Sequence, residues 1–406
     1  MTVSVAVFGA SGGRLITELE RLHSSLTVVR HCLELSELVA ACQSGLAQVA
    51  IVTEQLDQLN AALLERLAAF DVMVLALSDD DDLRQRLSAL GVCVLPGQSS
   101  SEELLKQITG KIKTDGRILG IGSANGAVDP DSGSAKAGTA HRLVAVWGPI
   151  GSPGRTTVAV NLAAELAAAG RRVMLVDADS YGASIAATLG LLDESAGIAQ
   201  AARLADQGLL DETKLLEIAP EVGLGPGKLR VLTGLTRPDR WMELRALSLA
   251  KVFEHCRETF EITVVDCGFS LESDDELSFD SYLPGRNAAT LTAFAAADQI
   301  FAVGSADSLG VPRLIRALQE LDQVLPEQSI TVVLNKVRAT AAGRRPERAL
   351  QEAWQRFGPR HPISHFLPWD PESSDRALLA GQVFLEAAPE VSLRKKLCGL
   401  VGAFAQ

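Results

Sequence analysis

The feature that most restricts this chain is an alternation of short apolar runs with amphipathic stretches, played through twice. In the first pass the apolar runs are Val3–Phe8, Leu26–Cys32, Val49–Val52, Val72–Leu77 and Val92–Leu95. The stretches that follow them are Leu15–Leu22, Leu35–Ser44, Leu59–Ala69, Asp82–Leu90 and Glu102–Ile112. An apolar run without alternation suits a strand buried on both faces, and the helix-period segment after it suits the helix that covers it. Five βα units imply a parallel sheet with helices over it. From Leu143 the pattern resumes with longer elements. Between the two passes, Thr114–His141 is rich in Gly, Ala, Ser and Asp and keeps no period, as a flexible linker does. The expected organisation is therefore α/β: two three-layer α/β/α domains, over residues 1–113 and 141–406, joined by a linker over 114–140.

Composition removes several classes of function. Hydrophobic residues make up 47% of the chain and aromatics only 4%, so the cores must be built from Ala, Val, Leu and Ile. A net charge of −12 weighs against a dedicated nucleic-acid binder, whose phosphate contacts need an excess of Lys and Arg. No apolar run approaches the roughly 18–20 residues of a spanning helix. The N-terminus lacks a basic region ahead of its first apolar run, so it does not read as a signal peptide. The six cysteines form no CxxC pair and suggest reduced thiols in a cytoplasmic protein. His361 and His365 are four apart, but Pro362 lies between them in a strand-like stretch, so no zinc site is expected.

The first domain resembles a response-regulator receiver in order and length, not in chemistry. A receiver needs acids after its first strand, a phospho-accepting Asp after its third and a Lys after its fifth. Here those positions read Phe8-Gly9-Ala10, Val52-Thr53-Glu54 and Leu95-Pro96. The acids Asp79 to Asp82 open a helix and read as its N-terminal cap. The resemblance implies a pseudo-receiver used for contacts. Gly9, Gly12 and Gly13 lack the full spacing of a dinucleotide loop.

The second domain carries the informative motifs. The strand Leu143–Trp147 runs into the Gly-rich turn from Gly148 to Gly154, then Arg155, Thr156 and Thr157 open an Ala- and Leu-rich helix, Val158–Ala169. A second strand, Val173–Val176, ends in Asp177-Ala178-Asp179. Strand, Gly-rich turn, Thr-Thr and helix form the setting of a phosphate-binding loop, in which backbone N–H groups at a helix N-terminus cradle phosphate and a hydroxyl, here Thr156, supplies a Mg²⁺ ligand.

The run GSPGRTTVAVNLAAELAAAGRRVMLVDADSYGASIAATLG resembles the deviant Walker A segment and following acidic motif of MinD/ParA-type P-loop ATPases. Ile262–Val265 with Asp266 resembles Walker B. Ile330–Leu334 with Asn335 and Lys336 resembles the strand whose Asn reads adenine, and the segment after Pro368 resembles the loop flanking the base. With the receiver-like domain and linker, the pattern is most similar to the CpaE/TadZ-like branch, including actinobacterial septum-site-determining-type proteins. The resemblance implies a nucleotide cradle of Gly151, Ser152, Pro153, Gly154, Arg155, Thr156 and Thr157, a base site at Asn335 and Pro368, and Mg²⁺ supported by Thr156, Asp177 and Asp266. Asp179 would orient an attacking water. ATP and Mg²⁺ are the implied cofactors. GTP is disfavoured, because Arg338 stands where a guanine reader needs Asp.

The departures bear on catalysis. The family's loop reads Lys-Gly-Gly-x-Gly-Lys-Thr-Thr; here the signature lysine is Ile150 and the Walker lysine is Arg155. Arginine keeps the charge in a bulkier planar fork, which favours binding over the positioning that phosphoryl transfer needs. Asp177 and Asp179 read alternatively as helix caps, and Asn335 as a cap of the next segment. Arg286, Arg237 and Arg240 read as solvated side chains, with replacement of the missing lysine charge the alternative for each. The basic stretch with Arg344, Arg345, Arg348, Arg356 and Arg360 includes Glu347 and Glu352, as a solvated helix does. The C-terminal helix, with Leu393, Leu397, Leu400, Val401 and Phe404 on one face beside Arg394, Lys395 and Lys396, fits a membrane-surface helix or one packed on the sheet.

The resulting expectation is an ATP-binding positional or assembly factor, forming a nucleotide-dependent homodimer with weak or absent hydrolysis. It would act with pilus-assembly or cell-division machinery, in the cytoplasm or at the inner face of the plasma membrane, and not on DNA. A slow ATPase in surface or chromosome partitioning and a nucleotide-free scaffold are the alternatives.

Overall fold

A computed structural model describes residues 3–10, 12–21, 26–68, 70–112, 141–191, 195–224, 227–272 and 285–404. The expected linker lies outside the described residues. The chain divides into two compact units.

In the first unit, strands β1 (Val3–Phe8), β2 (Leu26–Cys32), β3 (Val49–Val52), β4 (Met73–Leu77) and β5 (Cys93–Leu95) form an all-parallel sheet in the order β2-β1-β3-β4-β5. This is the doubly wound order of flavodoxin-like folds. The central strands β3 and β4 are buried along their whole length, which their near-continuous Val, Ala, Ile and Leu require. Helix starts differ from the apolar pattern where polar caps intervene. The helix expected from Leu59 begins at Ala61, because Asn60 accepts the backbone N–H of Leu63 at 2.9 Å. The acidic run behaves as a cap: Asp80 accepts from Leu83 N at 3.1 Å and opens the helix Asp81–Ala89.

The second unit holds an eight-stranded sheet. Its strands are β6 (Arg142–Trp147), β7 (Arg172–Ala178), β8 (Glu221–Leu224), β9 (Gly227–Leu232), β10 (Ile262–Cys267), β11 (Gln299–Ser305), β12 (Ile330–Val337) and β13 (Ile363–Pro368). The order is β13-β12-β11-β6-β10-β7-β9-β8, parallel except for the β8–β9 pair at one edge. Because β6 lies between β10 and β11, its carboxyl end opens at a point where successive connections diverge, the place where α/β sheets gather ligands.

The helix after β6, Arg155–Ala168, is buried at every residue from Val158 to Ala167. A helix apolar on all sides needs cover on all sides. The C-terminal helix Ser392–Val401 supplies it with buried Leu393, Leu397 and Leu400, and Phe404 stacks on Phe301 at 6.2 Å. The two buried polar groups of the central helix are satisfied: Asn161 accepts from Phe384 N at 2.8 Å, and Glu165 pairs with Arg394 at 2.6 Å. Of the two readings of the C-terminal helix, the structure has the packed one: its apolar face lies in the core. No helix among the described residues is long and apolar enough to cross a membrane.

Candidate functional site

The turn after β6 is shaped by backbone that side chains resist. Gly151 has φ +117°, Ser152 +50° and Gly154 +98°. A Cβ on Gly154 would lie 2.3 Å from the Asn335 amide nitrogen, so glycine is required there for space as well as for conformation. Left-handed residues in such a turn draw successive N–H groups inward, making a concave anion site at the start of a helix.

Around this turn the expected residues converge. Ser152, Pro153, Gly154, Arg155, Thr156 and Thr157 line one cavity of about 350 Å³, together with Asp179, Asn335 and Pro368. Thr156 Oγ1 donates to Asp266 Oδ2 at 2.6 Å. Arg155 lines this cavity with its guanidinium already engaged. One guanidinium nitrogen donates to the Gly148 carbonyl at 2.9 Å and another pairs with Asp179 Oδ2 at 2.9 Å. Both side chains are largely buried, so this pair is desolvated and held from two sides. Asp179 is further occupied, since its Oδ1 accepts from Tyr181 N and Gly182 N.

Asp177 spends its carboxylate on backbone. It accepts from Ser184 N and Ile185 N, both at 2.9 Å, and from Asp179 N at 3.3 Å. It thus caps the short helix Ile185–Thr188 from beneath the cavity. Burial pushes its pKa up to about 6, with Asp179 adding to the rise. Burial, then the charge of Asp177, also drives Asp266 well above the carboxylate range.

A family model for the CobQ/CobB/MinD/ParA nucleotide binding domain matches residues 144–379. The chain belongs to that family. It is 32% identical over 141 residues to the antiactivator FleN of Pseudomonas aeruginosa, a match covering 34% of this chain and 46% of FleN. The chain thus spans under half the length of that curated relative. Among solved structures it is similar in fold to the septum site-determining protein MinD of Pyrococcus horikoshii, complexed with Mg-ADP: TM-score 0.51, 18% identity, 65% of this chain and 96% of that one. It is also similar to a ParA family ATPase of Chlorobium tepidum: TM-score 0.52, 18% identity, 64% of this chain and 98% of that one.

For a MinD/ParA-type domain, Mg²⁺ is the implied metal, and the residues fit it. Asp266 Oδ1 is fully buried and meets no hydrogen-bond partner, although its other oxygen is engaged. Asp177, Asp179 and Asp266 lie buried together, and Arg155 is the opposing charge acting on Asp266. Hard oxygen donors with an orphaned carboxylate oxygen suit a divalent cation that keeps part of its hydration. No set of three His, Cys, Asp or Glu among the described residues converges as a metal cage. Thr156 and Asp266 would hold the ion, with Asp177 behind them.

Several of these placements escape sequence reasoning. Lys336 stands in the left-handed region at φ +58°, where the β12–β13 register shifts. That bulge turns its ammonium onto the loop, where it donates to Ser152 O at 2.7 Å, and burial lowers its pKa. Asn335 donates to Pro153 O at 2.9 Å, so adjacent residues brace the turn from one side. Trp369, half-exposed in the cavity wall, lies 5.4 Å from the Lys336 ammonium. Ser184 touches Thr156 Oγ1 at 3.3 Å. A Trp beside the Pro368 signature was the one signal available for this wall. Ile150 is 59% exposed, while Arg286 lies 4.3 Å over the Tyr181 ring. Arg240 pairs with Glu243 at 2.6 Å and Arg237 with Asp239 at 3.6 Å, as solvated side chains do.

Proposed function

We propose that this chain is an ATP-binding switch of the MinD/ParA type that binds Mg-ATP and hydrolyses it slowly or not at all. The observation that carries the reading is the Arg155–Asp179 ion pair. The cation at the Walker lysine position and the acid expected to orient water hold each other, while the Thr156–Asp266 pair beside them remains in place. Bound phosphate would compete with Asp179 for the guanidinium. Released Asp179 then has an oxygen for water, but a planar arginine fork seats phosphate in fewer ways than an ammonium does. Mg²⁺, when bound, would supply charge neutralisation at the phosphates. Asn335 and Pro368 would meet the base, and Trp369 widens that wall.

The nucleotide acts as a conformational ligand that favours a homodimer, and it can shift assembly only by binding the dimer better. Residues 1–113 serve as a pseudo-receiver, 114–140 as a linker and 141–406 as the nucleotide domain, the arrangement of the CpaE/TadZ-like branch. In the first unit Thr53 donates to Phe8 O at 2.9 Å at the carboxyl ends of β1 and β3. That bond fills the place where a receiver would carry its phospho-accepting Asp. The role proposed is positional, in pilus localisation or septum placement. The test is a thermal melt with Mg-ATP, Mg-ADP and Mg-GTP. Adenine nucleotides should raise the melting temperature, by RT ln(1 + [L]/Kd) in free energy, and GTP should do less. Silence with both adenine nucleotides at millimolar concentration removes the switch and leaves a nucleotide-free scaffold.

A further inference from the structure

A second cavity of about 660 Å³ lies away from the nucleotide site, between the helices Gly310–Val324 and Pro346–Phe357. Val311, Pro312 and Ile315 form one wall; Leu350, Ala353 and Phe357 form the other. From Leu350 to Phe357 the apolar stripe spans seven residues, about 10 Å or two helical turns. Phe357 is 67% exposed at one end, although its helix buries Leu350 and Trp354 beneath. The trough is thus an apolar surface left uncovered between two helices, of the shape that receives a third helix through anchors at i, i+3 or i+4 and i+7.

The rim states what charge the third helix carries. Between Asp307 and Arg360 the chain has nine Lys and Arg against six Asp and Glu, in a protein whose net charge is −12. Arg316 lines the trough, Arg344 and Arg345 stand at the head of the second helix, and Arg356 sits beside Phe357, 5.7 Å from its ring. All four are exposed, and none forms an ion pair among the described residues. Arg348 differs, since it is paired with Glu352 at 2.8 Å. The acid in the lining, Asp307, is already engaged by Ser305, Leu309 N and Gly310 N. We propose that this trough is a docking groove for an acidic amphipathic helix of a partner protein, its apolar face on Ile315 and Phe357 and its carboxylates on the arginine rim. Nucleic acid would use the arginines and leave the apolar floor wet, and a bilayer surface is too flat to fill a trough.

The test uses the full chain and a fluorescein-labelled peptide of about 18 residues, long enough to form the needed turns. Leu occupies its i, i+3, i+4 and i+7 positions and Glu flanks them; controls are a Lys-for-Glu twin and a scrambled peptide. Fluorescence anisotropy should show the acidic peptide binding at least about tenfold more tightly than either control. Arg344→Glu with Arg345→Glu, both on the surface, should leave the melting temperature unchanged and turn the preference toward the Lys twin. Ala353→Trp, which fills the trough, should weaken both peptides. The proposal is overturned if the acidic peptide binds no better than its scramble at about 100 μM. It is equally overturned if the double reversal abolishes binding of a short DNA duplex or an anionic phosphatidylglycerol vesicle while peptide binding is unmoved, or if Ala353→Trp dissociates a dimer, which would make a second copy the occupant.

Discussion

Arg155 decides the character of the site, because a buried ion pair resists losing either member. Leaving one charge of such a pair uncompensated costs about 3–5 kcal/mol, so phosphate must replace Asp179 as the partner of Arg155 for the site to fill. With Arg155→Lys and Ile150→Lys together, turnover should rise more than with either change alone, since two ammonium groups would then act on the phosphates. Asp179→Ala in that background should remove the gain while binding remains. Steady-state phosphate release beside equilibrium binding reads both. Asp266 offers a second check. Its ionised form is disfavoured by burial and by Asp177, so the charge opposes folding in the nucleotide-free protein. Asp266→Asn should therefore raise the melting temperature of that protein at neutral pH, and should abolish the extra stabilisation that Mg²⁺ adds to ATP. A loss of stability without nucleotide would show the carboxylate to be structural. At this scale the sequence displayed the Gly-rich loop and both threonines, while the three acids were named through the resemblance to MinD/ParA-type ATPases. It could not display which of them bind one another, because Arg155–Asp179 and Lys336–Ser152 depend on side-chain reach and on a bulge that no periodicity reports.

Among the elements, the first three strands were the most legible, since β1, β2 and β3 keep the bounds of their apolar runs. Helix starts were less so, because Asn60 and Asp80 set them by local hydrogen bonds rather than by apolar period. The C-terminal helix shows the deeper limit. An apolar stripe with flanking Lys and Arg is the same pattern whether it faces lipid or a core; here Leu393, Leu397 and Leu400 lie in the core and Arg394 meets the buried Glu165. Leu397→Ala should accordingly cost about 2–5 kcal/mol in denaturant unfolding, and the native protein should not float with anionic vesicles. Flotation that depends on Leu397 would return that helix to the membrane. For the first unit, Thr53 stands just past the end of β3 and bonds to Phe8 at the end of β1, so incubation with acetyl phosphate should leave no hydroxylamine-sensitive phosphoryl group on residues 1–113. An acyl phosphate found there would make the unit a working receiver.

At the scale of the whole molecule, a family nucleotide domain shares the chain with a unit of flavodoxin-like strand order, proposed as a pseudo-receiver, that has no acid at the positions a receiver needs after its first strand and no Asp after its third. The alternation of βα units made the α/β class and the two sheets readable, but the strand order, with β6 between β10 and β11, is a long-range pairing that sequence pattern does not carry. That order matters because it opens the carboxyl end of β6 as the candidate ligand site. The central claim is that this site holds Mg-ATP without turning it over efficiently. The most direct measurement is phosphate release by the wild-type chain at Mg-ATP concentrations where binding is shown to be saturated. The account predicts full occupancy with a rate far below about 1 s⁻¹; saturated binding with turnover at or above that rate would contradict it.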